Sequence, residues 1–368
     1  MKNIVFIFIL FFISFNSYSQ YYKEYNWTEK PIYEENLKSN QSSISIFDKS
    51  IVEFLSGKFS NSVLKYETHH YKIKVFDDNS VIKFSSIIIP MAEVINLIDI
   101  KVRIVDVEGN LIEFDKKSIV ELDDFENSSN YKNFNLTGVK INSTIEVMYT
   151  LEKQYNIHGN KILQKSYPIK KLEFLLIPGP TKGIIKAYGG VSTIIDTLID
   201  QKPAKVLKTA NIPKIVDEEY ATAIANRQRL VFQCPLLEDN MVQKDYWKNI
   251  VLNINPIMFP ANIHPKIFEI SSKVFEKNET DIQKIANKID DFIKNTFKIS
   301  DSDNNSLNNI DYILSNYISN DFSIIQVYTQ LLTAAGINYE IVITSNRYYN
   351  KFDPDFFDPN MLREFLIY

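Results

Sequence analysis

Between Tyr21 and Leu207 this chain alternates apolar and polar residues, and around Met258–Pro265 the alternation gives way to a helical spacing. A period of two sends successive side chains to opposite faces of a strand, whereas apolar residues three and four apart line one face of a helix. One regular fold cannot serve both patterns. The chain is therefore constrained to a strand-built part followed by a part that mixes helices with strands. In the first part Tyr71, Ile73 and Val75 alternate with His70, Lys72 and Lys74. Ile98, Ile100, Val102 and Ile104 alternate with Asp99, Lys101 and Arg103, and Ile145, Val147, Tyr149 and Leu151 with Thr144, Glu146, Met148 and Thr150. Strands with one apolar and one wet face predict an antiparallel β-sandwich over residues 20–207. Gly109-Asn110 between Val107 and Leu111 predicts a hairpin turn. Lys171–Ile177, closed by Pro178-Gly179-Pro180, reads as a further strand, and residues 208–257 as connecting strands and linker.

In the second part Pro265 to Phe275 reads as one helix. A second opens on Thr280-Asp281-Ile282-Gln283, a capping-box pattern, and carries Ile282, Ile285, Ala286, Ile289, Phe292 and Ile293 along one face. A short third helix spans Asn309 to Tyr317. Ser319–Asn320–Asp321–Phe322 then runs into an apolar helix with Phe322, Ile325, Tyr328, Leu332 and Ala335 at helical spacing, and Gly336 stands where a left-handed cap is wanted. Asp321 is expected to be its N-cap, because Asp and Asn are preferred there. A strand, Ile337 to Thr344, follows at once, and Phe352-Asp353-Pro354 leads to a last strand at Phe365–Tyr368. Helices followed by strands predict an α+β domain over residues 258–368.

Charge and composition exclude several functions. Lys2, the apolar run Ile4 to Ile13 and Ser17-Tyr18-Ser19 before Gln20 form the pattern of a cleavable export signal over residues 1–19. The expected location is exported, periplasmic or secreted, and no later stretch approaches the ~20 apolar residues of a membrane-spanning helix. The chain has 41 basic and 45 acidic residues; losing Lys2 with the leader takes the net charge from −4 to −5. That balance, without a clustered basic face, argues against nucleic-acid or anionic-membrane partners. The one cysteine, Cys234, excludes an internal disulfide, and its strand face, shared with Leu230 and Phe232, suits a buried apolar residue better than a nucleophile.

The four histidines have no metal-ligand spacing: His69 and His70 point to opposite faces, and His158 and His264 are solitary loop residues. Asp301, Asp303 and Asn305 start like a calcium loop, but Ser306 and Tyr312 replace the glycine and the bidentate glutamate it needs. Asp353, Asp355 and Asp358 read as turn residues. No phosphate loop or nucleotide fingerprint is present, so neither cofactor nor metal is expected. The aromatic segment Tyr21 to Trp27 is expected to dock onto its own sandwich.

The order helix, glycine cap, strand, loop, strand resembles the core of the transglutaminase-like superfamily, which shares its layout with papain-type cysteine proteases. Bacterial members open the helix on Gly-x-Cys-x-Asp and end it near Leu-Gly-Ile. Counting back from Ala335-Gly336-Ile337, the family glycine falls on Ser319, the cysteine on Asp321 and the aspartate on Ser323. The Asn-His motif falls on Arg363-Glu364, and the third triad member would lie beyond Tyr368, so the domain is expected to be incomplete. The earlier stretch is similar to the β-rich domain of unknown function that precedes such domains in exported bacterial proteins. That likeness rests on the Ile145–Leu151 strand after Val139-Lys140-Ile141-Asn142-Ser143, and on Asn211-Ile212-Pro213 to Glu218-Glu219-Tyr220 leading into Arg229–Cys234.

A helix N-terminus lowers the pKa of a cysteine thiol and so makes a thiolate. An aspartate in that field is only a weaker base, and a glutamate cannot pass protons both ways near neutral pH as histidine does. The resemblance thus implies an exported, non-catalytic protein with Asp321 and Glu364 at degenerate positions and no catalytic residue. Its role would be binding or structural, with a peptide or envelope protein in the cleft. The alternative is a periplasmic hydrolase or acyl-transferase using Asp321 and Glu364 as a carboxylate pair. A third reading is a truncated remnant whose final strand offers an unpaired edge.

Overall fold

The computed structural model describes residues 20–31, 37–57, 62–114, 121–122, 131–190, 193–216, 219, 221–236, 243–300, 302, 304–349 and 351–368. The export-signal pattern and the calcium-loop residues Asp301 and Asp303 lie outside them. The chain divides into two compact units, Met1–Asp217 with Arg227–Asp239, and Glu218–Asn226 with Asn240–Tyr368.

The first unit carries helices α1 (Tyr21–Glu24) and α2 (Asp78–Phe84) and fourteen strands among the described residues. These are β1 (Ser43–Ser56), β2 (Val63–Val75), β3 (Ser86–Pro90), β4 (Val94–Val105), β5 (Leu111–Phe114), β6 (Glu121–Leu122) and β7 (Tyr131–Asn135). They continue with β8 (Thr144–Lys153), β9 (His158–Ile162), β10 (Ile169–Ile177), β11 (Ile184–Tyr188), β12 (Thr193–Ile199), β13 (Lys202–Ile212) and β14 (Arg229–Gln233). Eight form one sheet in the order β12-β13-β10-β1-β2-β8-β4-β5; two three-stranded sheets, β11-β14-β9 and β3-β7-β6, complete the unit. The β4–β5 hairpin turns where expected: Gly109 takes φ +83°, and the Asp106 carboxylate accepts the amides of Glu108 and Asn110.

One face of the large sheet is the interior. Ile73, Val102, Ile104 and Val147 pack with Ile89 and Phe134 at one end, and Phe54, Phe174 and Leu207 with Leu230, Phe232 and Cys234 at the other. Each such side chain stabilises the fold by about 1.5–3 kcal/mol through burial. Cys234 is fully buried as expected, and burial pushes its thiol up to about 12.

Two expectations need correction. The sheet is mixed: β1 pairs β10 in parallel, from Ser45↔Ile169 to Glu53↔Ile177. A period of two reports faces and carries no information about the direction of a distant partner. The polar alternates are not wet either, since His70, Lys72, Glu146 and Thr150 are all buried. The aromatic N-terminal segment contributes to their cover. Glu53 Oε1 and Oε2 accept the Tyr21 and Tyr22 amides at 3.1 and 2.9 Å, and Tyr22 stacks on Tyr66 at 4.0 Å. Tyr25 Oη lies 2.7 Å from His70 Nδ1, and the Trp27 ring lies 4.4 Å from the Arg103 guanidinium. Beneath them Glu146 meets Arg103 Nε at 2.6 Å, His70 Nε2 at 2.9 Å and Lys72 Nζ at 3.5 Å. Those partners outweigh its desolvation and hold its carboxyl down at about 2.

The second unit carries α3 (Ala223–Asn226), α4 (Gln243–Met258), α5 (Pro265–Val274), α6 (Ile282–Thr296), α7 (Ile310–Asn316) and α8 (Ile324–Ala334). Its strands are β15 (Lys298–Ile299), β16 (Ile318–Ser319), β17 (Ile341–Thr344) and β18 (Glu364–Ile367), pairing as β15–β16 in parallel and β17–β18 antiparallel. Ile267, Ile289, Ile293, Val327 and Leu331 form its core.

The segment read as a connector thus supplies the last five residues of β13, all of α3 and β14, and all of α4 but its final residue. Pro256 and three asparagines hid α4 from a search for apolar periodicity. At α6 the cap is Asp281, whose carboxylate accepts the Lys284 amide, instead of Thr280. The strand after Gly336 starts only at Ile341. Among the described residues no helix is long and apolar enough to cross a membrane.

Candidate functional site

The N-terminal end of α8 is built by three local devices. The parallel pairing Lys298↔Ile318 and Ile299↔Ser319 delivers the chain as a two-residue strand that ends on the buried Ser319. Asn320 then ends the strand: its Oδ1 accepts the Ser323 amide at 2.7 Å, and its carbonyl accepts the Ile324 amide at 3.1 Å. Asn308, closing a 3-10 turn, ties the corner together, because its Oδ1 accepts from Asn320 Nδ2 at 3.0 Å and from Ser323 Oγ at 3.2 Å. At the other end Gly336 takes φ +71°. Its amide donates to Thr333 O and that of Ile337 to Leu332 O, which is the Schellman pattern.

Ser323, immediately before α8, makes no side-chain capping bond; Asn320 caps the turn that leads into the helix, and Asp321 fills neither role. Asp321 is exposed and makes no side-chain hydrogen bond among the described residues. The Asn320 and Asp321 side chains both offer a capping oxygen. Which one is used depends on where β16 releases the chain, and periodicity does not report that.

The matched positions fall as follows. Ser319 and Ser323 are fully buried. Glu364 opens β18, is exposed, and accepts from Asn346 Nδ2 at 3.2 Å. Arg363 donates to Asn360 Oδ1 at 3.1 Å. The two matched segments meet through the residues that follow Asp321 and Glu364: the Phe322 and Phe365 rings lie 5.3 Å apart at 71°, edge to face. Asp355 and Asn360 amides donate to Asp353 and Asp358, as turn residues require.

Beside α8 runs a groove of about 740 Å³, lined by Ile263, His264, Asn308, Phe322, Gln326 and Gln330 among others. His264 caps α5: its Nδ1 accepts the Lys266 amide at 3.2 Å while Nε2 lies 2.8 Å from Asp311 Oδ1. Gln330 Oε1 accepts the His264 amide at 2.8 Å and fixes that wall to α8. Ser323 Oγ is held by Asn308 and both His264 nitrogens are engaged elsewhere, so the pair is not set up as nucleophile and base. The groove offers carboxamides and apolar surface. Sequence reading missed it, although Gln326 and Gln330, four apart and so on one face of the helix, were a usable signal. Among the described residues no group of three or more His, Cys, Asp or Glu side chains could hold a metal ion.

No family model and no curated protein matches this chain. Among solved structures it is similar to the crystal structure of "a putative protease" from Parabacteroides distasonis ATCC 8503, with a TM-score of 0.61 and 14% identity. The likeness covers 89% of this chain and 65% of that one, so this chain spans about two thirds of its neighbour's length. At that identity the two share a fold.

Proposed function

We propose that this chain is an exported, transglutaminase-like protein of the cell envelope that binds a polypeptide segment in the α8 groove without cleaving or crosslinking it. The observation that carries the reading is the Phe322–Phe365 contact. It sets the two matched segments side by side, with Asp321 and Glu364 where the resemblance places a cysteine and a histidine. The fold shared with a structure named as a protease fits the same frame. In the groove Gln326 makes no side-chain hydrogen bond among the described residues and is placed to pair with a peptide backbone.

The test is a library of end-blocked nonapeptides containing glutamine and lysine, incubated with the chain and followed by calorimetry and mass spectrometry. Binding without any mass change, weakened by Gln326→Ala, is the expected result. Cleavage or crosslinking that disappears in Asp321→Ala would replace this reading with the carboxylate-pair enzyme, and no binding across the library would remove it. Mass spectrometry of the exported form should place its N-terminus at Gln20; a retained Met1 would sink the export reading.

A further inference from the structure

The interior face of the eight-stranded sheet is apolar at both ends and charged between them. Asp48 on β1 is 2% exposed and pairs with Lys161 Nζ at 3.4 Å and with Lys165. Glu67 on β2 pairs with Lys65 and Lys153, each at 3.2 Å. His69 stands between the two carboxylates, its Nε2 3.7 Å from Glu67 and its Nδ1 3.3 Å from Ser50 Oγ. Burial lowers the His69 pKa, so the ring is neutral at neutral pH. Among the described residues four ammonium groups therefore share two carboxylates, an excess of two positive charges inside the unit. Three of those lysines keep partial exposure, so solvent screens part of the excess and the rest is left for a bound anion.

Two phenols sharpen the point. The Tyr149 ring lies 4.9 Å from the His69 ring, and the Tyr71 ring has Lys165 Nζ 5.8 Å from its centroid. Both residues are half-buried, and neither hydroxyl makes a hydrogen bond among the described residues, so each is left to solvent or to a ligand. Burial and the nearby Asp48 carboxylate keep both protonated, hence donors. The cluster is also reachable, since the Lys161, Lys165 and Lys153 side chains keep 17%, 28% and 17% exposure.

We propose that this cluster is a binding site for a small oxyanion, a carboxylate or a phosphate, held by the surplus lysines and by the Tyr71 and Tyr149 hydroxyls. The anion supplies the missing negative charge and the missing acceptors together. Among the described residues the four lysines make no other ion pair and neither hydroxyl has an acceptor. The site belongs to the β-rich unit and is independent of the α8 groove and of the function proposed for it.

Thermal unfolding of the full chain in inorganic phosphate, in succinate and in sodium chloride of matched ionic strength tests the proposal, with calorimetry for affinity. Saturable stabilisation by phosphate or by succinate beyond the chloride control is expected, and the tighter of the two identifies the anion class. Lys161→Met should weaken that binding by about tenfold or more, the scale of one charge-assisted contact. Because Lys161→Met also strips Asp48 of a partner, Tyr149→Phe serves as the second variant. It removes an unpartnered hydroxyl and should leave anion-free stability unchanged while weakening the anion several-fold. Melting that follows ionic strength alone, or a Tyr149→Phe protein that binds phosphate and succinate as the wild type does, would overturn the proposal.

Discussion

The large sheet of the β-rich unit and the N-terminal end of α8 handle polar side chains in opposite ways. On the sheet, carboxylates and cations are held together: Glu146 with His70, Lys72 and Arg103, all buried, on the covered face, and Asp48 and Glu67 with four lysines, buried or half-buried, on the interior face. At α8 the buried polar groups are neutral, Ser319, Ser323, Thr329 and Gln330, and the charged residues Asp321 and Glu364 stand in solvent. Buried ions hold one another through strong, mutually dependent contacts, so removing one strands the rest. Neutral hydroxyls and amides make local bonds of about 1 kcal/mol each that can be lost singly. The sheet's polar groups should therefore be much less tolerant of change than those of the site.

Four measurements can break or sharpen that contrast. The largest effect belongs to Glu146→Ala, which leaves Arg103 and Lys72 buried without their carboxylate and should cost about 3–5 kcal/mol in denaturant unfolding. A cost no larger than that of a surface substitution would end the comparison.

Acid titration probes the same carboxylate without mutation. Its folded pKa, about 2, lies below the ordinary 4.5, so its contribution is complete above the unfolded value and is lost as pH falls from about 4.5 toward 2. Asp48 and Glu67 are shifted in the same direction and should add to that loss. Unfolding free energies followed from neutral to acid pH should decline across this window in the wild type and less steeply in Glu146→Ala.

Trp27→Ala should cost about 2 kcal/mol, the value of a desolvated cation–π contact over Arg103. An unchanged midpoint would mean that the N-terminal segment rests on the sheet without stabilising it. The smallest effects are expected at α8. Asn320→Ala should cost about 1 kcal/mol and Asn320→Asp almost nothing. Asp321→Ala removes only a charge–dipole contact of about 0.3–1 kcal/mol, which high salt should screen away. If the two variants exchange magnitudes, Asp321 is the cap after all.

Much of the architecture was legible in the residues. The hairpin at Gly109, the burial of Cys234, helices α5 to α8 and the glycine cap at Gly336 follow from turn chemistry and spacing, which act over a few residues. The aromatic segment near Tyr25 was also expected to lie on its own unit. The site was legible only as a frame. That Asp321 and Glu364 are both exposed while Phe322 and Phe365 touch depends on two segments more than forty positions apart, and no local pattern reports it. The groove escaped for the same reason: His264 looks solitary until Gln330 and Asp311 are brought to it.

By itself the sequence determined periodicity, the glycine cap at Gly336, turns and the absence of a cysteine near α8, because each is a property of a short window or of composition. Tertiary structure decided the parallel pairing of β1 with β10, the capping by Asn320 of the turn into α8 and the burial of the sheet's charged face. Those outcomes depend on which distant segment arrives alongside. A strand such as β8, with Thr144, Glu146 and Thr150 alternating with Ile145, Val147 and Leu151, reads as half wet until the N-terminal segment covers it. Whether a buried lysine is a defect or part of a site is likewise set by the charges that long-range folding places around it.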